Sequence, residues 1–253
     1  MILESTEIKK LSIVMTVCNK YHLEFLKALK KHAGEGTGLL KERMKADTGS
    51  NKASYSIKIP LLRKIAKDWI KKHPYLSLSE YTALLNSLYA GKSHEELSLA
   101  GKLLEYVPDL RKQLGPCLLN EWLDKVEGWA EVDSICQSNF TPDEMFTQWL
   151  RWRDVIKDFS SDENIHKQRA SLVLLTKPVR ESNDAKLMKL AFKNIDRLKQ
   201  EKDILITKAI SWLLREMIKN FRSEVKDYLE KNEDSLPRIA VREVTNKLKT
   251  GKK

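Results

Sequence analysis

The chain has 253 residues, with 46 lysines and arginines against 35 aspartates and glutamates, a formal net charge of +11. With 42% apolar residues, nine glycines and seven prolines, it is neither collagen-like nor disordered, and it is long enough to bury a real core. No stretch reaches the roughly 18 consecutive apolar residues of a membrane span. Cys18, Cys117 and Cys136 are too far apart for a disulfide framework or metal-ligand spacing, so a reducing, cytoplasmic setting is expected. His22, His32, His73, His94 and His166 are equally scattered, and neither a metal nor another cofactor is expected. The positive balance suits a phosphate-rich partner such as nucleic acid, while the competing reading is lysines that merely keep a helical protein soluble.

Near the start, Lys9 and Lys10 precede an apolar run over 11–17. Glu4 and Glu7 lie upstream and no small-residue cleavage site follows, so a first helix is expected rather than a signal segment. Glycines at 34, 36 and 38 lack both a preceding strand and the Gly-Lys-Ser/Thr ending of a phosphate loop, and read as a helix–helix connection. Residues 46–52 and 250–253 are expected to be the least ordered. Next, Ile59, Leu62, Ile65, Ala66, Trp69 and Ile70 recur in steps of one, three and four, the spacing of one helix face, with Pro60 in the first turn.

Helix starts are then marked by four expected capping boxes, Ser77 with Glu80, Ser93 with Glu96, Thr141 with Glu144 and Ser160 with Glu163. In each, the hydroxyl accepts from the amide three residues on while the glutamate reaches back. Pro74, Pro108, Pro178 and Pro237 are read as punctuation between helices. The expectation is an all-α chain of about a dozen helices in one domain over 1–253, stacked as HEAT-like pairs into a curved α-solenoid whose inner face can wrap a long ligand.

Four residues are candidates for chemistry. Trp129 and Asp133 are four apart and share a helix face, an aromatic plate beside a carboxylate. Arg169 follows Trp129 by 40 residues and Trp212 follows Arg169 by 43. Each step is about one helix-pair repeat, which would set the positions side by side on neighbouring repeats. The competing reading is two core tryptophans and a surface arginine. Cys136 is read as a small buried hydrophobe rather than a nucleophile.

At these residues the chain resembles the AlkD family of DNA alkylation repair enzymes, the HEAT-like-repeat DNA glycosylases. Tyr55-Ser-Ile-Lys-Ile-Pro-Leu-Leu-Arg-Lys64 resembles the family's Gly-Ile/Val-x-x-Pro-x-x-Arg element, and Trp129-Ala-Glu-Val-Asp-Ser134 its Trp-Asp-x-Val-Asp-Ser motif. Residues 164–172 resemble its Asn-x-Trp-x-x-Arg-x-Ala helix. Lys208-Ala-Ile-Ser-Trp-Leu-Leu-Arg-Glu216 resembles its most specific motif, and 241–243 the end of a Ser-Arg-Arg-Glu-Ala element. The resemblance implies excision of N3- and N7-alkylated purines from duplex DNA by a monomer, without a metal. It implies Asp133 as the acid, Trp129 and Trp212 as aromatic walls and Arg169 as an active-site arginine holding a backbone phosphate. Arg63, Lys64, Arg215, Arg242 and Lys247 are further candidate phosphate contacts.

The chain departs from the family pattern at several positions. Gly128 stands where many members have a second tryptophan, Ala130 where many have aspartate, Glu95 where many have arginine, and His166 where many have tryptophan. Ser54 or Tyr55 is assigned to a position where glycine is common. A non-catalytic DNA-binding protein and a protein-interaction scaffold are the alternative functions; a pure binder has no use for a carboxylate facing phosphate.

Overall fold

The computed structural model describes residues 19–33, 47–137 and 139–252. The expectations for 11–17 and for the 34–38 glycines, together with Cys18, Ala46 and Lys253, lie outside the described residues. Among those described, fourteen helices follow one another: α1 (Lys20–His32), α2 (Ile59–Lys72), α3 (Leu78–Tyr89), α4 (His94–Tyr106), α5 (Pro108–Arg111), α6 (Leu118–Leu123), α7 (Trp129–Cys136), α8 (Pro142–Thr147), α9 (Trp149–Phe159), α10 (Ile165–Glu181), α11 (Ala185–Leu198), α12 (Ile204–Met217), α13 (Arg222–Asn232) and α14 (Arg238–Thr250). The described residues form no strand; a single parallel bridge joins Ala53 to Ser93.

The packing order makes this an all-α repeat fold. One row of helices runs through the stack, α2 against α4, α4 against α7, α7 against α10, α10 against α12, and α12 against α14. A second row covers it, with α3 on α4, α9 on α10, α11 on α10 and α12, and α13 on α14. Each helix buries its apolar stripe against the neighbouring pair, so a continuous core runs from Tyr21 to Val244. In α2 most of the expected face is inward: Leu62, Ile65, Ala66 and Trp69 are buried and Ile70 partly so, while Ile59, at the start of the helix, is exposed, and Pro60 lies in the first turn.

Three of the four capping boxes form, at Ser77–Glu80, Ser93–Glu96 and Thr141–Glu144. The fourth does not. Ser160 instead closes α9, its hydroxyl donating to the Lys157 carbonyl, and Asn164 caps α10 by accepting from the His166 amide. Pro178 is not punctuation either; it lies inside α10, one turn before the end, where buried packing carries the helix past the missing amide. At the far end Thr250 is still helical, and Gly251 stops α14 in the left-handed conformation at φ +71°.

Candidate active site

The inner row sets the candidate residues on consecutive helices. Trp129 and Asp133 lie on α7, Arg169 on α10 and Trp212 on α12, and these three helices pack in that order. The 40- and 43-residue steps therefore lead to neighbouring helices of the row.

Asp133 and Arg169 are in direct contact. The Arg169 Nε donates to Asp133 Oδ1 at 2.9 Å and its Nη2 to Oδ2 at 2.8 Å, while Nη1 donates to the Leu205 carbonyl at 2.6 Å. The pair is largely buried, with side-chain exposures of 7% for the arginine and 13% for the aspartate. Sequence reasoning gave the guanidinium fork to a phosphate; the structure gives it to the carboxylate, with the start of α12 as third ligand. Burial pushes the Asp133 carboxyl above its ordinary range, opposed by the hydrogen bonds and charge of Arg169. Cys136, one turn on, is buried, and burial holds its thiol protonated.

Trp129 opens α7 and is 36% exposed, high for so large a side chain. Its neighbour is the segment over 47–52, which sequence reasoning expected to be loose. Here the structure corrects that expectation. Ser50 is only 1% exposed, its hydroxyl donates to Glu131 Oε1 at 2.6 Å, and Lys52 pairs with Glu127 at 3.5 Å. The close approach depends on Gly128. A Cβ there would lie 2.4 Å from the Thr48 carbonyl and 2.6 Å from the Ser50 amide nitrogen. Gly49, at φ +71°, lies so near the indole that a Cβ on it would be 2.9 Å from Trp129 Cδ1. The space of a second tryptophan at 128 is thus taken by the backbone strap 48–50, which lies along the edge of Trp129.

Glu131 anchors the strap. It is buried and accepts from Ser50, from the Glu127 amide at 2.7 Å and from His94 Nδ1 at 3.4 Å. Burial raises its carboxyl, but these donors outweigh burial and hold it below the ordinary range. Glycine has no side chain with which to cap α7; Glu131 instead reaches back to the Glu127 amide and so fixes the chain just before the helix. Sequence reasoning missed Ser50, His94 and Glu131 because their partners are 37 and 81 residues apart in the chain.

The remaining departures also find places, except Ala130, which nothing in the structure explains. Glu95 is buried and accepts from the Ser54 hydroxyl at 2.7 Å and the Ile57 amide at 3.3 Å, so it organises the approach to α2. In that approach the left-handed residue is Ser56, at φ +60°, not Ser54 or Tyr55. Ser56 precedes Pro60 by four, the spacing of the glycine in the family element. His166 lies one turn before Arg169, and its buried Nδ1 has no hydrogen-bond partner among the described residues. Burial lowers its pKa, so the imidazole is neutral at pH 7.

Trp212 is half-buried on α12, seven residues and therefore about 10 Å beyond Leu205. Its Nε1 donates to Glu216 Oε1 at 3.1 Å, and Arg180 of α10 holds the other oxygen at 3.3 Å.

Of the candidate phosphate contacts, Arg63, Lys64 and Arg242 are exposed and Lys247 is half-buried. Lys64 also bonds Asp68 at 2.6 Å. Arg215 is different. It is turned inward, its Nε donating to the Ser211 carbonyl and its Nη2 lying 3.4 Å from Glu243, whose same oxygen accepts from the Ser211 hydroxyl at 2.6 Å. The Arg215–Glu243 pair ties α14 to α12, so Arg215 is a buried contact between helices rather than the exposed cation expected from the sequence.

The comparisons with known proteins bear on the family and the fold of the chain. Residues 26–248 match the profile of the DNA alkylation repair enzyme family. The chain belongs to that family. A solved structure described as a predicted DNA alkylation repair enzyme from Enterococcus faecalis superposes with a TM-score of 0.67 at 18% identity, over 84% of this chain and 96% of that one. A search of curated proteins gave no match. Among the described residues, no group of three or more His, Cys, Asp or Glu side chains is arranged to hold a metal ion, and no helix is long and apolar enough to cross a membrane.

Proposed function

We propose that this member of the DNA alkylation repair family is a monomeric DNA glycosylase that hydrolyses the N-glycosidic bond of cationic N3- or N7-alkylated purines in duplex DNA and leaves an abasic site. The observation that carries the reading is the Asp133–Arg169 pair, a buried carboxylate in fixed orientation, on the same helix as the exposed indole of Trp129.

The chemistry fits those groups. An alkylated purine already carries positive charge, so it departs as a neutral base once the C1′–N bond breaks and the electron pair passes to the ring. The sugar becomes oxocarbenium-like. Asp133 stabilises that cation and orients the attacking water, whose proton passes to solvent. In this reading the ring faces of Trp129 and Trp212 meet the same charge, worth roughly 0.5–2 kcal/mol each. Arg169 positions the carboxylate; two of its five N–H donors remain for a phosphate. No acid has to protonate the leaving base.

The test is base release from a duplex carrying one N7-methylguanine, wild type against Asp133→Asn at low salt. Release by the wild type alone supports the reading. Tight, salt-dependent binding with no release by either would favour a non-catalytic DNA binder, in which the Asp133 carboxylate serves only as the ligand of Arg169.

A further inference from the structure

A second basic surface lies on helices that contribute none of the four candidate residues. Between α9 and α11 of the outer row is a cleft of about 510 Å³ lined by Trp149, Arg153, Lys157, Lys186, Lys189 and Lys193. On α9, Trp149, Arg153 and Lys157 recur every four residues; on α11 the three lysines recur in steps of three and four. Two helical stripes of cations therefore face one groove. The opposite faces carry the core, with Trp152, Ile156, Leu187 and Ala191 buried.

Charge in the cleft is uncompensated. Its one carboxylate, Asp154, is held by Arg153 at 2.7 Å. Lys157, Lys186, Lys189 and Lys193 have no ion-pair partner among the described residues. Elsewhere the chain pairs several of its lysines, as Lys167 with Asp124 and Asp162, and Lys199 with Asp196. Four unpaired ammonium groups converging on one groove repel each other and favour an anion with several charges. From Lys186 to Lys193 the stripe extends about 10 Å, the length of a few successive phosphates. Trp149, the first residue of α9, adds a half-exposed aromatic ring whose aromatic neighbour is Phe146, 5.8 Å away between ring centres.

We infer that the α9–α11 cleft binds a single strand of nucleic acid, its phosphates along Lys186, Lys189, Lys193 and Lys157 and one base against Trp149. Unpaired bases stack on aromatic side chains without sequence preference, and a charged groove tracks the backbone. An acidic peptide would meet the same lysines, but its carboxylate side chains have no flat face to stack on the indole, whereas every nucleotide carries one. The inference is independent of the proposed glycosylase chemistry, because the cleft shares no residue with the Asp133–Arg169 pair.

The experiment measures affinity for a fluorescent oligothymidylate over a salt series, for the wild type, the triple variant Lys186→Gln/Lys189→Gln/Lys193→Gln, and Trp149→Leu. The triple variant lies on an exposed stripe and should leave the circular dichroism spectrum and melting temperature unchanged. Its slope of log affinity against log salt should fall by about 2, since each phosphate contact to a single strand contributes about 0.7. Trp149→Leu should weaken binding with an unchanged slope. Base release at saturating duplex should be the same in all three proteins. Equal slopes for wild type and triple variant would overturn the inference. So would competition by polyglutamate as effective as by oligothymidylate, which would make the cleft a protein-docking surface.

Discussion

Two seams between inner helices each contain an arginine–carboxylate pair, and they differ instructively. Between α7 and α10, Arg169 grips Asp133 with two parallel hydrogen bonds, next to an exposed indole and an unpartnered histidine nitrogen. Between α12 and α14, Arg215 reaches Glu243 through one contact at 3.4 Å, and Ser211 bonds both partners, its carbonyl accepting from Arg215 Nε and its hydroxyl donating to Glu243. The second pair, with Ser211 between its partners, ties two packed helices together. The first holds its carboxylate with two parallel hydrogen bonds, beside an exposed indole and a histidine nitrogen without a hydrogen-bond partner among the described residues. Two pairs of the same chemical type thus have different surroundings, and it is the surroundings that lead us to propose a catalytic role for the first.

The sharpest way to break this comparison is Asp133→Asn. Excision of N7-methylguanine, followed under single-turnover conditions, should fall on the order of 10²–10³-fold, the loss typical of a group that stabilises developing charge. Duplex affinity should hold or rise, since a negative charge near phosphates is removed. Comparable rates for mutant and wild type would remove Asp133 from the chemistry.

Arg169→Ala and Arg215→Ala test the two seams against each other. Loss of Arg169 leaves a buried, unpaired carboxyl, so denaturant unfolding should show a cost of about 3 kcal/mol together with lost excision. Glu243 is more exposed, so Arg215→Ala should cost about 1 kcal/mol and leave single-turnover excision intact. An equal loss of excision in both variants would show that the two pairs are equivalent.

Gly128→Ala addresses the strap. The added methyl collides with the Thr48 carbonyl, so the 48–50 backbone must move at a cost of about 1–3 kcal/mol. The expected readouts are a lower melting temperature and a changed environment for Trp129 in its indole nuclear magnetic resonance signal. An unchanged signal would show that the strap does not set the indole.

The pH profile is a milder test. Protonation neutralises the Asp133 charge, so excision corrected for spontaneous depurination should decline as pH falls through its pKa. Because burial raises that pKa, the acid limb should have its midpoint above 3.8, the ordinary aspartate value. A midpoint at or below 3.8 would contradict the burial described here.

The smallest effects belong to the outward cations. Arg63→Ala and Arg242→Ala should each reduce the salt slope of duplex binding by about 0.9 if each meets one phosphate, whereas Arg215→Ala should leave it unchanged.

Much of this protein was legible in one dimension. Apolar residues at steps of three and four depend only on the pitch of a helix, and capping boxes only on bonds between residues three apart, so the all-α stack and three of its four marked caps follow from local rules. The same holds for the spacing of Trp129, Arg169 and Trp212, because one repeat sets one step. Tertiary structure alone decided the rest. Which carboxylate Arg169 meets, that Arg215 points inward, and that the 48–50 strap fills the space at Gly128 all depend on contacts between residues 28 to 81 positions apart. Charge and hydrogen-bonding groups are satisfied by whatever lies nearest in space, and that is fixed only when the helices have packed.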